Sequence, residues 1–473
     1  MTSPDSVGPR WFSIPQPTSV ALTGGDWRQA SVHVIAEASE FEGEARRLER
    51  ELAELGIEHG GRSAIRLRAG GWSGESFSVV VADDVEVNAG TPAGVFRATR
   101  QLLQNLRAHG VIPRGRVESA PAVVERGFHL DAARKYFSSE WMITLLHELA
   151  DVGINTFQWH FSENEGFRLA SERFPEIVSA EHVTRDEAAR VLDAAADLHI
   201  DVIPSLDMPG HLRHALAQHP SLRLPSAGAL ETDHALDVTR ADAVRFAENL
   251  IDDVAPVFAR STRWNLGGDE FVDFARIDEY PVLAEAARER FGPEATGFDL
   301  LTSFVNGIGA HLRERGFAAR AWNDGMLRSS AVTLDQEIVL TWWTNWHAQM
   351  RPVADAVGAG HALVNFNDAL FYYVLGEQAG YSYPTSERIW AADWHPGLFS
   401  ALPGGRVQEI AAPYPDALLG VAFSVWSDDP AAQSPQEVGD GIRGPLRAMA
   451  ERAWNGGSAL THEEFLAVAG RLN

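Results

Sequence analysis

Residues 264–271 read WNLGGDEF, which sets two carboxylates side by side, Asp269 and Glu270, behind a Gly-Gly pair and an apolar lead-in. Neighbouring residues of a regular strand point to opposite faces, so two adjacent acids share a site only where the backbone leaves strand geometry. Gly267 and Gly268 supply that freedom. Repulsion between the two acids disfavours a double charge and raises one pKa, which is what a general acid requires. Glycoside cleavage needs one protonated acid at the leaving oxygen and a second group for the oxocarbenium-like centre. A bare Asp-Glu pair also fits a solvated turn, so its surroundings decide.

A second cluster lies in VIPSLDMPGHLRHAL, where Asp207 and His211 follow a strand-like run and open a helix. Asp207 serves there as a turn cap with His211 as its local partner, or the pair tunes groups in a pocket. His211, His214 and Asp207 also raise the question of a metal. Their spacing lacks the two-His-plus-Glu signature of zinc hydrolases, so neither metal nor cofactor is expected.

From Arg126 onward, short apolar runs alternate with amphipathic helices. Strands are expected at 127–131, 156–161, 201–206, 263–267, 318–323, 337–343, 361–366 and 420–426. Helices are expected at 138–153, 184–199 and 297–316. Strands alternating with helices in this way give an α/β fold, a (β/α)8 TIM barrel, whose active site lies at the C-terminal ends of the strands. Those ends carry Asp131; His160, Ser162, Glu163, Asn164 and Glu165; Asp207 and His211; and Asp269 with Glu270. They continue with Trp322, Asn323 and Asp324; Trp342 and Trp343; Asn365, Asn367 and Asp368; and Trp426 with Asp428. A mouth rich in acids and Trp, with Arg126 and Arg168 as its notable basic groups, suits a neutral polyhydroxyl ligand.

Residues 1–120 read as a separate small α+β domain before a catalytic barrel over 121–473. Alternating strands are expected at 31–37, 64–70 and 76–90, and helices at 40–56 and 91–110, the second capped by Thr91 with Pro92 at its first position and Gly110 at its end. PRGRVESAPAVVERG (113–127) reads as the linker between the two parts.

Composition narrows the field. The chain has 473 residues and a formal charge of -25, which argues against a nucleic-acid or anionic-membrane partner. With no cysteine there is no disulfide, thiol nucleophile or Cys-metal site. The opening MTSPDSVGPRWFSIPQPTSV has no basic segment followed by an apolar one, and no apolar run is long enough to span a bilayer. A cytoplasmic location is the expectation. Several of the 14 Trp sit in polar company, as in WNDG, TWWTNWH and SVWSDDP. Aromatic faces set among polar groups are how a cleft grips a pyranose ring.

Taken in order, RGFHLDAARKYFSSEWMITLLHELADVGINTFQWHFSENEGFRL, DVIPSLDMPGHLRHALAQHPSL and WNLGGDEF resemble glycoside hydrolase family 20, the β-N-acetylhexosaminidases and their relatives. The likeness runs from about residue 120 to 456, and the domain before it resembles the α+β domain that precedes the barrel in that family. It implies exo-hydrolysis of a terminal GlcNAc or GalNAc from an oligosaccharide or glycoconjugate, by a substrate-assisted retaining route through an oxazolinium ion. On this match Glu270 is the general acid/base and Asp269 holds the acetamido N–H. Arg126 matches the arginine that grips O3 and O4, and Asp207 and His211 match the supporting pair. Trp322, one of Trp342 and Trp343, and Trp426 match the walls of the acetamido pocket. Tyr372 or Tyr373 matches the tyrosine on the acetamido oxygen. His160, Asn164 and Asp428 complete the substrate-facing set. Glu163-Asn164-Glu165-Gly166 stands where many relatives carry Asp-Asp-Gln-Gly, and Trp426-Ser427-Asp428 where many carry Trp-x-Glu. These variants resemble the branch that contains streptococcal-type hexosaminidases and lacto-N-biosidase. Disaccharide release, action on another modified hexosamine, or carbohydrate binding without catalysis are the alternatives.

Overall fold

The structure, a computed structural model, describes residues 10–472. Residues 1–9, on which part of the reading of the opening stretch rests, lie outside the described residues. The first domain is a six-stranded mixed sheet covered by helices Glu42–Glu54 and Pro92–His109. The second helix is fixed at both ends by its sequence. Thr91 Oγ1 accepts the Gly94 N–H at 3.0 Å, and Gly110 ends the helix in the left-handed region.

The expected linker over 113–127 needs correction. Ile112–Ser119 is a strand inserted between Ser19–Trp27 and Phe77–Val81, antiparallel to both. Its Pro113 and Gly115 read as loop residues, but Gly115 sits at an irregularity of the pairing where the Ala21 carbonyl approaches closely. The chain crosses to the second domain over 120–124.

Eight parallel strands then close a barrel: β1 Glu125–Asp131, β2 Thr156–Glu163, β3 Asp201–Met208, β4 Arg263–Gly267, β5 Ala318–Trp322, β6 Val339–Trp342, β7 Leu363–Asn365 and β8 Leu418–Trp426. Each pairs with the next, and β8 returns to β1, so no edge is left open. Side chains alternate across the wall. Phe128 and Leu130 of β1 join the apolar layer beneath helix Ser139–Asp151, with Met142 and Leu146. Gly127, His129 and Asp131 face the lumen, where His129 Nδ1 meets Gln158 Nε2 of β2 at 2.9 Å.

The N-terminal end of the lumen is closed by charge. Glu125 takes both terminal nitrogens of Arg320, at 2.7 and 2.6 Å, and one from Arg263 at 2.7 Å. Burial alone would raise the Glu125 pKa, but Arg320 leads the guanidinium groups that hold it at about 2.

Arg126 belongs to this end too, which corrects its expected role at the sugar. It is fully buried, and its Nε donates to Gly153 O at 2.8 Å and its Nη1 to Val123 O at 2.8 Å. Its Nη2 is bonded to Glu75 of the first domain, and its guanidinium stacks over Trp454 at 4.8 Å. As the second residue of a seven-residue strand, it sits roughly 16 Å from the mouth at about 3.3 Å per residue. Arg126 pins the two domains together.

Candidate active site

The site begins at the end of β4. Gly267 and Gly268 adopt φ of 84° and 92°, and Glu270 itself lies at φ 40°. A Cβ on Gly267 would fall 1.6 Å from Asp207 Oδ1. Glycine is therefore needed there twice over, for its dihedral angle and for the carboxylate lying against it. The two left-handed glycines break strand alternation and bring Asp269 and Glu270 to one wall. A non-glycine residue in Glu270's conformation costs roughly 1–2 kcal/mol, so the surroundings must hold it there.

That wall faces two adjoining cavities. The inner one, about 140 Å³, is lined by Asp269, Glu270, His211, Trp322, Trp343, Tyr372, Trp426, Asp428, Arg134, Trp346 and Tyr381, among others. The outer one, about 440 Å³, adds Asp324, Arg328, Phe274 and Tyr280 to a rim shared through Glu270, Trp343 and Trp346. Glu270 thus stands between them, its side chain 52% exposed, while Asp269 is buried.

Strand parity sorts the aromatic candidates. Trp322, Trp426 and Tyr372 form a cage: the Trp322 and Trp426 rings are 5.9 Å apart, and Tyr372 lies 5.8 Å from Trp426 and stacks on Trp343 at 5.8 Å. Trp342, one residue out of phase, is in the outer core with its Nε1 donating to Asn345 Oδ1 at 2.8 Å. Tyr373 likewise turns away and stacks on Tyr383 at 4.3 Å. Between the paired candidates, Trp343 and Tyr372 are the cavity residues.

His160 does not reach either cavity. It lies behind Trp426, with its Nδ1 3.0 Å from Ser205 Oγ, and burial lowers its pKa to about 4. Asn164 also stays out, its Oδ1 accepting the Arg213 N–H at 3.2 Å. Arg168 is engaged by the carbonyls of Ala133 and Glu181. Asp207 is buried behind Asp269, and Oδ1 of each has no hydrogen-bond partner among the described residues.

The electrostatics centre on His211. Its Nδ1 is 2.5 Å from Glu163 Oε1, and its Nε2 is 3.5 Å from Asp269 and 3.6 Å from Glu270. Burial opposes its charge, but Glu163, then Asp269, raise its pKa to about 10. Asp207 and Asp269 are both pushed well above the ordinary carboxylate range, first by burial and then by neighbouring carboxylates, Glu163 acting on Asp207 and Asp207 on Asp269. One carboxylate atom each of Asp207 and Asp269 and one ring nitrogen of His211 lie within 4.8 Å of one another, the spacing of a cation site. Glu163 and Asp269 favour a proton on the His211 imidazole, which a metal would have to displace. His214 points elsewhere, its Nε2 on Ile177 O at 2.8 Å.

The profile of the glycosyl hydrolase family 20 catalytic domain matches residues 125–457, and that of the family's domain 2 matches residues 13–120. The chain belongs to glycoside hydrolase family 20. It is 29% identical over 372 residues to a lacto-N-biosidase of Bifidobacterium bifidum, covering 78% of this chain and 32% of that one. It is 26% identical over 239 residues to a β-hexosaminidase of Vibrio furnissii, covering 44% of this chain and 39% of that one. The chain thus spans well under half the length of these curated relatives. The solved GH20 exo β-N-acetylglucosaminidase of Vibrio harveyi, in complex with N-acetylglucosamine, has the same fold: TM-score 0.80 at 18% identity, covering all of this chain and 79% of that one.

Within this family 20 barrel, three cavity groups and one buried carboxylate behind them lie outside the expected substrate-facing set. Arg134, three residues past the end of β1, lines the inner cavity beside Asp428 and lies over Trp426 at 5.8 Å. It bonds Asp131 at 2.9 Å and Glu163 at 2.5 Å. Its position directly after a strand-ending aspartate was the available signal. Glu163, in the variant Glu-Asn-Glu-Gly segment, is the carboxylate that charges His211. Tyr381 and Trp346 come from long loops, Trp346 within the TWWTNWH stretch and Tyr381 with no motif around it, and each donates to Asp368 Oδ2, at 3.1 and 3.0 Å.

Proposed function

We propose that this family 20 protein is an exo-acting β-N-acetylhexosaminidase that uses the substrate's own acetamido group as nucleophile. The carrying observation is that Asp269 and Glu270 share the wall of one small cavity caged by Trp322, Trp343, Tyr372 and Trp426. A sugar ring enclosed there turns its apolar faces to the indoles. Its acetamido N–H meets Asp269, and the Tyr372 hydroxyl donates to the acetamido oxygen. That oxygen attacks C1 as the bond from C1 to the leaving oxygen breaks, and Glu270 delivers its proton to the leaving group. The product is an oxazolinium ion, held through its N–H by Asp269. Water then enters at C1, Glu270 takes its proton, the ring opens, and the configuration is retained. Arg134 and Asp428 meet the hydroxyls at the closed end. The larger outer cavity, on the far side of Glu270, receives the leaving group.

Release of a disaccharide is the second reading, favoured by the likeness to lacto-N-biosidase and by Asp428, which is one methylene shorter than glutamate. A panel of 4-nitrophenyl glycosides of GlcNAc, GalNAc and lacto-N-biose separates the two. The first reading expects turnover of the monosides, and on the matching 4-methoxyphenyl glycosides, whose leaving group needs the proton, Glu270→Gln lowers it by roughly 10²–10⁴. Turnover of the lacto-N-bioside alone supports the second. Unchanged activity in Glu270→Gln excludes both.

A further inference from the structure

Glu270 is held loosely for a residue that must aim a proton. Its carboxylate approaches one basic group, His211 Nε2 at 3.6 Å, and its side chain is 52% exposed. Its backbone is in the left-handed region. Among the described residues a single hydrogen bond restrains it: the Glu270 N–H donates to Asp324 Oδ2 at 3.1 Å.

Asp324 is itself buried and doubly committed. Its Oδ1 accepts the indole N–H of Trp343 at 3.2 Å. The preceding residue, Asn323, accepts the Trp343 backbone N–H at 2.9 Å and donates to Thr344 O at 2.8 Å. The loop after β5 therefore ties the end of β4, which carries the acid, to the end of β6, which carries the wall between the two cavities. We infer that Asp324 is a positioning residue for Glu270: by gripping the Glu270 N–H and the Trp343 indole at once, it fixes the direction in which Glu270 gives its proton to the leaving oxygen.

The inference rests on Glu270 being the proton donor. A carboxylate has the two acceptors that this grip needs. An amide at the same position keeps one acceptor and turns an N–H toward the other donor, so Asp324→Asn breaks one of the two ties with little change in volume. Burial, then the neighbouring Glu270, raise the Asp324 pKa to about 6. Asp207, Asp269 and Arg328 are the other charged groups around it.

Proton delivery matters most when the leaving group is a poor one. The test therefore compares kcat/KM of wild type and Asp324→Asn on two N-acetyl-β-glucosaminides, one releasing 2,4-dinitrophenolate and one releasing 4-methoxyphenolate. The expected loss on the poor leaving group is about 10²-fold, at least ~10 times the loss on the activated one, and it falls mainly in kcat. In a Glu270→Gln background the same substitution should add less than about 3-fold, because the group being positioned is gone. Equal losses on both substrates, or full additivity with Glu270→Gln, overturn the inference. If wild type hydrolyses neither monoside, the comparison is made on the lacto-N-biosides with the same two leaving groups; hydrolysis of none of the four overturns the reading of Glu270 and the inference with it. Cooperative thermal unfolding checks that Asp324→Asn folds; if it does not, Asp324→Ser is read in the same assay.

Discussion

Two carboxyls on successive residues do different work because their surroundings differ. Asp269 is buried against Asp207 and His211, which suits it to clamp a polar group inside a closed pocket; Glu270 stands on the partition, open to both cavities. The cationic counterpart at the closed end is Arg134. Arg134→Ala should lower kcat/KM by roughly 10–100-fold, the worth of a charged hydrogen bond of about 1.5–3 kcal/mol. Arg126→Ala should instead cost stability, roughly 1.5–3 kcal/mol, because it removes one of the two guanidinium groups that pair Glu75 in the domain interface and leaves Arg97 as the other. Urea unfolding and steady-state kinetics on the two variants separate these outcomes, and the account fails at this point if Arg126→Ala folds normally but no longer binds sugar. The Asp269-Glu270 pair was legible because its chemistry and its glycines are contiguous. Arg126 matches the family's arginine by motif alone, and strand direction overrides that match. A residue at the start of a barrel strand points to the floor, whereas one just past its end lines the mouth.

At the scale of elements, all eight barrel strands lie where apolar runs and polar ends put them, since buried parallel strands read as short apolar stretches. Parity within a strand also holds information. Trp343 and Tyr372 face the cavity while Trp342 and Tyr373 face the core, as period-2 alternation requires once one inward residue is known. The strand Ile112–Ser119 stayed hidden because proline and glycine mimic a loop; Trp346 shows only as one Trp of TWWTNWH, and the loop bearing Tyr381 has no local signal. Their places are set by tertiary contacts such as those with Asp368. The β4 turn gives the sharpest test at this scale. Gly267→Ala forces a Cβ into Asp207 and strains a φ of 84°, so Asp269 shifts; activity should fall by about 10²-fold, the usual effect of a 1 Å misplacement. Crystallography of that variant should find Asp207 displaced, and full activity there contradicts the stated need for glycine.

Over the whole molecule, the charges predict a stability curve tilted toward acid. His211 has a folded pKa of about 10 against an ordinary value near 6.5, so its contribution is complete below about pH 6.5 and is lost as pH rises through about 10. Asp207, Asp269 and Asp324 are raised, so the folded state holds protons that the unfolded chain has released, and stability declines as pH climbs above about 4. Glu75, Glu125 and Asp131 are held at about 2, so their contribution is present above about pH 4 and lost as pH falls through about 2. The thermal midpoint should peak at mildly acidic pH and drop by pH 9, and His211→Gln should flatten the alkaline side; a peak above pH 8 contradicts these assignments. On the proposed function, this charge arrangement serves an amide-bearing sugar that attacks itself. The most direct measurement is kcat/KM for aryl glucosaminides carrying N-acetyl, N-fluoroacetyl, N-difluoroacetyl and N-trifluoroacetyl groups. Each fluorine weakens the carbonyl oxygen as a nucleophile, so the account predicts a steep, monotonic fall across the series. A flat series contradicts it, for the attacking atom then does not belong to the substrate.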